Sequence, residues 1–346
     1  MRRLLLLFIM LYAIIIPVTA EEWVAPEAPS DIQQYLPEET ENFGEDLWFV
    51  ISSALENLQP SFTEALRTCV SVLTASILVS FVADISDNVK AVVQLVGTVT
   101  LGVILFQPVN SLIELGTENV SQISQYGKLL LPVMASALAA QGSVTRSGAV
   151  YMATAVVDSV LSTAVSSLLV PMIYVFLCIC VGCRLWEQPL LMQMQKFIKW
   201  LLTWGLKIVL YVFTGYISIT GVVTGTTDAT MLKATKLTIS GMVPVVGSII
   251  SDASEAVLVS AGVMKNAVGV YGLLVLIALW IGPFLQIGLQ YMMLKITGGI
   301  AEMFGSKQMS GLIKDFSTAM GLVLAMTGTV CLLFLISTIC FMKGVT

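Results

Sequence analysis

Ser240-Gly-Met-Val-Pro-Val-Val-Gly-Ser-Ile-Ile-Ser-Asp-Ala-Ser-Glu255 is apolar enough to enter a bilayer, yet Gly241, Pro244 and Gly247 interrupt it, and Asp252 and Glu255 close it. Gly241 to Ser251 is only eleven residues, against roughly 20 for a spanning helix. A short apolar segment containing Pro and Gly predicts a broken or re-entrant helix. Such a backbone persists at membrane depth only where protein buries it or water wets it. Two readings follow: the lining of a conduit or binding site, or a kinked helix packed against its neighbours.

Working outward, hydrophobic residues make up 57% of the 346-residue chain and charged residues 11%. With several apolar runs of spanning length, that balance excludes a soluble globule and predicts an all-α, polytopic membrane protein. The net charge of −5 is unevenly distributed, because eleven Asp and Glu lie between Glu21 and Glu64 with no Lys or Arg among them. The remaining basic residues are scattered between spans, so nothing supports nucleic-acid binding. Histidine is absent, which removes the commonest general base and zinc ligand. Cys178, Cys180 and Cys183 have metal-like spacing but sit among Phe176, Leu177, Ile179 and Val181, where cysteines are usually packing residues. No metal or cofactor is expected.

Residues 1–20 have the parts of a secretory signal: Arg2-Arg3, an apolar run from Leu4 to Ile16, and Val18-Thr19-Ala20 before a cut ahead of Glu21. An uncleaved anchor is the alternative. Residues 21–60 form an acidic extracytosolic segment. Within it Leu47, Ile51, Leu55 and Leu58 recur at helical spacing beside Trp48 and Phe49, predicting an amphipathic helix for the membrane interface or for a partner. The multi-pass domain occupies 61–346. Ser61 to Glu64 has the pattern of a capping box at a helix start, and spans are expected over about 65–83 and 91–106, the second closed by Pro108. Pro108 to Lys128 is mostly polar and is expected outside the cytosol.

Leu129 to Gln141 is a second short apolar piece with a proline near its front, Pro132. Leu131-Pro-Val-Met-Ala-Ser-Ala-Leu138 and Val243-Pro-Val-Val-Gly-Ser-Ile-Ile250 share Pro, Val and Ser in order and spacing. This suggests a parallel internal repeat of span, broken helix and span, over about 91–183 and 200–293. Gly148 to Gly182 is interrupted only by Asp158 and reads as a long tilted helix or one broken near Pro171. Thr154, Asp158, Ser162 and Ser166 recur every four residues and share one face. An ionisable residue there faces a bundle interior or water by default. Asp158 is therefore a candidate for conduit lining or pairing, with Arg146 the nearest counter-ion, or else it marks a helix end.

Arg184 to Lys199 is the densest basic loop and is assigned to the cytosol, as is Lys295 to Lys314. Spans over about 200–223, 267–293 and 316–341 complete a count of about six, plus the two short broken helices. Asp252 and Glu255 share a helical face and could hold a cation or proton, although such pairs more often mark a solvated helix end. No nucleotide-binding loop, nucleophile elbow or zinc-protease motif is present, so a non-enzyme is expected.

Gly-Met-Val-Pro-Val-Val-Gly-Ser-Ile-Ile-Ser-Asp from Gly241, Lys-Asn-Ala-Val-Gly from Lys265, and Phe316-Ser-Thr-Ala-Met-Gly-Leu-Val-Leu resemble the stage III sporulation protein AE family. The resemblance runs from about residue 60 to the C-terminus, while the acidic segment is short for the family. It implies a multi-pass protein of the mother-cell membrane around the forespore, with the acidic segment between the two membranes. It also implies assembly with other stage III sporulation proteins, including a secretion-type ATPase and ring-forming subunits, into a channel-like complex needed for late forespore development. A secondary transporter and a non-conducting scaffold are the rival readings.

Overall fold

The computed structural model describes residues 25–37, 43–83, 85, 87–140, 144–186, 188–224, 267–304 and 307–344. No strand occurs among them. After a 3-10 turn at Gln33–Tyr35, eight α-helices follow. These are α1 (Phe43–Glu56), α2 (Gln59–Ala83), α3 (Asp87–Ala140), α4 (Val144–Ala164), α5 (Val170–Trp186), α6 (Pro189–Thr224), α7 (Ala267–Met303) and α8 (Lys307–Gly344). Among the described residues, five stretches are long and apolar enough to cross a membrane: Gln59–Ala83, Lys90–Ser136, Thr154–Trp186, Val268–Met303 and Lys307–Ile339. The expected span at 200–223 is helical within α6 but is not among those five. The signal segment 1–20 and the stretch 240–255 lie outside the described residues, so of the two short pieces that define the repeat only the first is in view.

Several expectations are corrected. The piece at Leu129–Ala140 is no separate short helix but the end of α3, which runs unbroken through Pro108 and Pro132. The polar segment 108–128, after the proline expected to close the second span, therefore continues the same helix. Proline removes one backbone bond and costs an isolated helix roughly 3 kcal/mol. Here the flanking turns are anchored on both sides: Leu101 and Leu105 before Pro108, and Val109, Ile113, Val120, Ile123 and Leu130 after it, are all buried. The basic connection 184–199 is also mostly helical, since α6 begins at Pro189. In α1 the buried residues are Phe43, Asp46, Val50 and Ala54, a face beside the expected Leu47–Leu58 stripe. Trp48 and Phe49 stay exposed. Helix α2 starts at Gln59, ahead of the expected cap at Ser61, with Pro60 in its first turn, where no N–H is needed.

Between α4 and α5 a π-helical turn, Val165–Leu169, precedes Pro171. The helix is thus continuous from Val144 to Trp186 rather than broken near that proline. Pro171 cannot donate to the carbonyl four residues back, and the wider turn takes up the irregularity without ending the helix.

The register follows from where glycines admit neighbouring side chains. Gly102, Gly116 and Gly127 of α3 face Leu312, Val323 and Phe334 of α8, so these two helices run parallel. Gly298, Gly288 and Gly269 of α7 face Ile313, Leu324 and Met342, so α7 runs antiparallel to α8. Helix–helix association in a membrane depends on close packing and small residues, and these notches supply both. Helix α8 is buried almost throughout, against α3, α5, α6 and α7.

One polar contact locks α3 to α7. Pro283 lies inside α7 and deprives the Leu279 carbonyl of its helical donor. Asn119 Nδ2 donates to that carbonyl at 2.7 Å. Asn119→Ala is expected to cost about 1 kcal/mol in thermal unfolding of the detergent-solubilised chain. In a Pro283→Ala background, where residue 283 donates instead, the same change should cost measurably less. Equal costs in the two backgrounds would show that the proline and the asparagine are uncoupled.

Candidate functional site

Thr154, Asp158 and Ser162 follow one another at successive turns of α4, and all three are buried. Their face meets α8, where Ser337 Oγ donates to Asp158 Oδ1 at 3.1 Å. Ser166, one turn further on, donates back to the Ser162 carbonyl at 3.1 Å. Asp158 Oδ2 is buried and has no hydrogen-bond partner among the described residues. The Arg146 side chain, the expected counter-ion, lies outside them. A buried carboxylate with one oxygen unpartnered is costly, and its free lone pairs can accept a proton, a hydroxyl or a small cation.

At the far end of the neighbouring helices, Arg184 Nε and Nη2 both donate to Asp315 Oδ2, at 3.0 and 2.7 Å. Between Asp315 and Lys343 α8 carries no charged residue, and between Asp158 and Arg184 neither does the α4–α5 run. From Asp315 to Ser337 is 22 residues, a rise of about 33 Å, close to the ~30 Å hydrocarbon core. The two polar contacts therefore stand one hydrocarbon thickness apart. Asp158 is a residue of the bundle's far end rather than of its middle.

The other sequence-predicted residues divide clearly. Pro132 is exposed on α3. Gly241, Pro244, Gly247, Asp252 and Glu255 lie outside the described residues. Their anchors are nevertheless placed. Helix α6 runs antiparallel to α5, with Gln195 beside Cys180 and Gly205 beside Leu169, so α6 ends toward the Asp158 level. Helix α7 begins there too, with Gly269 beside Met342. Among the described residues no group of three or more His, Cys, Asp or Glu could hold a metal ion.

Sequence reasoning passed over Ser337 and Asn119. A proline at 283 does announce a freed carbonyl at Leu279, but not which distant side chain will meet it. Ser337→Ala is expected to cost about 1 kcal/mol by leaving both Asp158 oxygens unbonded, whereas Ser337→Thr should be near neutral. Indistinguishable melting of the two variants would remove the Asp158–Ser337 bond as a stabilising contact.

A second feature lies on the outside of α3. From Ala91 to Phe106 its exposed residues are apolar except for Thr100. From Gln107 to Lys128 they are all polar: Gln107, Ser111, Glu114, Glu118, Ser121, Gln125 and Lys128, spaced alternately by four and three residues on one face. Asn110 bridges this face to α5, donating to Glu114 at 2.8 Å and accepting from the Tyr174 hydroxyl at 2.9 Å. By the glycine register, this stripe lies level with the charge-free length of α8 that begins at Phe316. Near its upper end the N-terminal segment docks, the Tyr126 hydroxyl donating to the Pro26 carbonyl at 3.4 Å.

A family model described as stage III sporulation protein AE matches residues 38–344. The curated stage III sporulation protein AE of Bacillus subtilis (strain 168) is 21% identical over 225 residues, which cover 65% of this chain and 56% of that protein. The match thus spans little more than half of the relative's length. No solved structure matches the chain.

Proposed function

This chain belongs to the stage III sporulation protein AE family, and from that premise we propose that it is a membrane-embedded, non-enzymatic subunit of a channel-like secretion complex joining mother cell and forespore. Its partners are other stage III sporulation proteins, among them a secretion-type ATPase and ring-forming subunits. It resides in the mother-cell membrane around the forespore, with the N-terminal segment outside the mother-cell cytosol, and it serves late forespore development.

The observation that supports a conduit is the polar stripe of α3. Polar and ionisable side chains at membrane depth face water or protein, not acyl chains. Glu114 and Glu118 sit one turn apart with only Lys128 to offset them, and two carboxylates favour a wet surface over a dry one. The stripe covers 22 residues, about 32 Å of helix from end to end, enough to line a passage across the hydrocarbon core. The test is thiol labelling of single-cysteine variants in sporulating cells. Ser111→Cys and Ser121→Cys should both react with a membrane-impermeant reagent, while Leu168→Cys and Val175→Cys, exposed apolar positions within the charge-free length of the α4–α5 run, should not. Labelling at Ser121 without labelling at Ser111 would mean that only the outer end of the helix is wet, and the conduit reading would fall. A coupled transporter is the second reading, favoured by the unpartnered Asp158 oxygen. Ion flux in proteoliposomes containing this chain alone would select it.

A further inference from the structure

A cavity of about 520 Å³ opens where α5, α6 and α8 meet, lined by Cys183, Arg184, Met192, Gln195, Lys196, Lys199 and Asp315. Its charges are three cations and one anion, a net of +2. Arg184 is committed to Asp315 through two hydrogen bonds. Lys196 and Lys199 make no ion pair among the described residues, and both are exposed at the cavity mouth. The nearby pair Lys314–Glu302 is self-neutralised, so the excess positive charge belongs to these two lysines.

The surroundings point to a lipid. Phe197, Trp200 and Trp204 stack in sequence along the outside of α6, with ring centroids 6.0 and 5.7 Å apart, and Trp186 at the end of α5 and Leu190 at the start of α6 are also exposed. Exposed aromatic side chains are enriched at the membrane–water boundary, and the Arg184–Asp315 pair marks the edge of the charge-free slab described above. A basic pocket between helices at that edge, flanked by an apolar ladder running into the slab, matches a phosphodiester head with its acyl chains attached.

We propose that this cavity binds the headgroup of an anionic phospholipid, with Lys196 and Lys199 holding the phosphate and the Phe197–Trp200–Trp204 face receiving the acyl chains. Arg184 acts here by neutralising Asp315, which would otherwise repel the phosphate. This inference does not depend on whether the protein conducts.

The test uses the full chain in zwitterionic detergent, titrated with phosphatidylglycerol, phosphatidylcholine or free glycerol phosphate, and read by native mass spectrometry and thermal unfolding. Phosphatidylglycerol should be retained and raise the melting temperature, and the other two should do neither. The double variant Lys196→Gln/Lys199→Gln should bind it about thirtyfold more weakly, from a roughly fivefold factor per lysine near an anionic surface. Lys196→Arg/Lys199→Arg should keep binding, which separates lost charge from damaged packing. Undiminished phosphatidylglycerol binding by the glutamine pair would overturn the site. Equal stabilisation by phosphatidylcholine would overturn its charge selectivity, and an equal response to glycerol phosphate would overturn lipid as the ligand.

Discussion

Gly127→Val is expected to cost roughly 3 kcal/mol, the upper part of the range for forcing extra volume into a packed core. Gly127 is buried on α3, and a Cβ built there would stand 2.2 Å from both Cδ1 and Cε1 of Phe334. Phe334 is among the largest fully buried side chains, at 1% exposure, so its ring has no free space to enter. Nor can α3 simply retreat, because Gly116, three turns earlier on the same face, admits Val323 in the same way. The strain would open the α3–α8 seam along its length. Thermal unfolding in detergent should show an early transition, and Gly127→Ala combined with Phe334→Leu should recover part of the loss. Gly282, where a Cβ meets nothing within 4 Å, supplies the control, and Gly282→Ala should stay within about 0.5 kcal/mol. Wild-type melting of Gly127→Val would mean that α3 and α8 do not pack in this register.

That register was not legible in the sequence, although much around it was. Composition and run length sufficed for an all-helical membrane protein, since continuous apolar runs of spanning length satisfy their backbone in lipid as helices, whereas barrel strands would alternate apolar and polar residues. Residues 108–128 show where such reading stops. Their polarity placed them outside the cytosol, and the flanking Pro108 and Pro132 suggested a span closed before them and a separate short piece after them. The helical signal was nonetheless there, in two interleaved sets: exposed Gln107, Ser111, Glu114, Glu118, Ser121, Gln125 and Lys128, and buried Val109, Ile113, Gly116, Val120, Ile123, Gly127 and Leu130. Two prolines outweighed that period in the reading because their cost is local, whereas the packing that offsets it comes from α7 and α8, far away in sequence. The same asymmetry explains the candidate site. Thr154, Asp158 and Ser162 were legible as one face because their spacing is local. Ser337 was not, because 179 residues separate it from Asp158. The stretch from Gly241 to Glu255, the most distinctive in the sequence, remains assigned by its residues and by the family match alone.

The second large effect is expected at the opposite end of the bundle. Arg184→Ala should cost about 2 kcal/mol, because it strands the Asp315 carboxylate, which is only 14% exposed. That is below the 3–5 kcal/mol typical of a fully buried pair losing one member, since the Arg184 side chain is itself 28% exposed and water can partly replace it. The guanidinium lies against Gly311: a Cβ there would stand 2.5 Å from Arg184 Cζ, so the end of the arginine would have to shift. Gly311→Ala should therefore weaken the pair without touching either charge, and its effect should shrink in the Arg184→Ala background. The decisive comparison is Arg184→Met/Asp315→Leu. If the penalty of Arg184→Ala arises from a stranded charge, removing both charges while keeping volume should restore most of the stability. If the double variant melts as early as Arg184→Ala, the arginine contributes through its packing at the α5–α8 contact and the ion pair is incidental. Recovery would carry a further consequence. A pair whose removal is nearly neutral adds little net stability, so its retention at the slab edge would be better explained by what it does to the cavity, where it cancels Asp315 and leaves Lys196 and Lys199 to act on an anion.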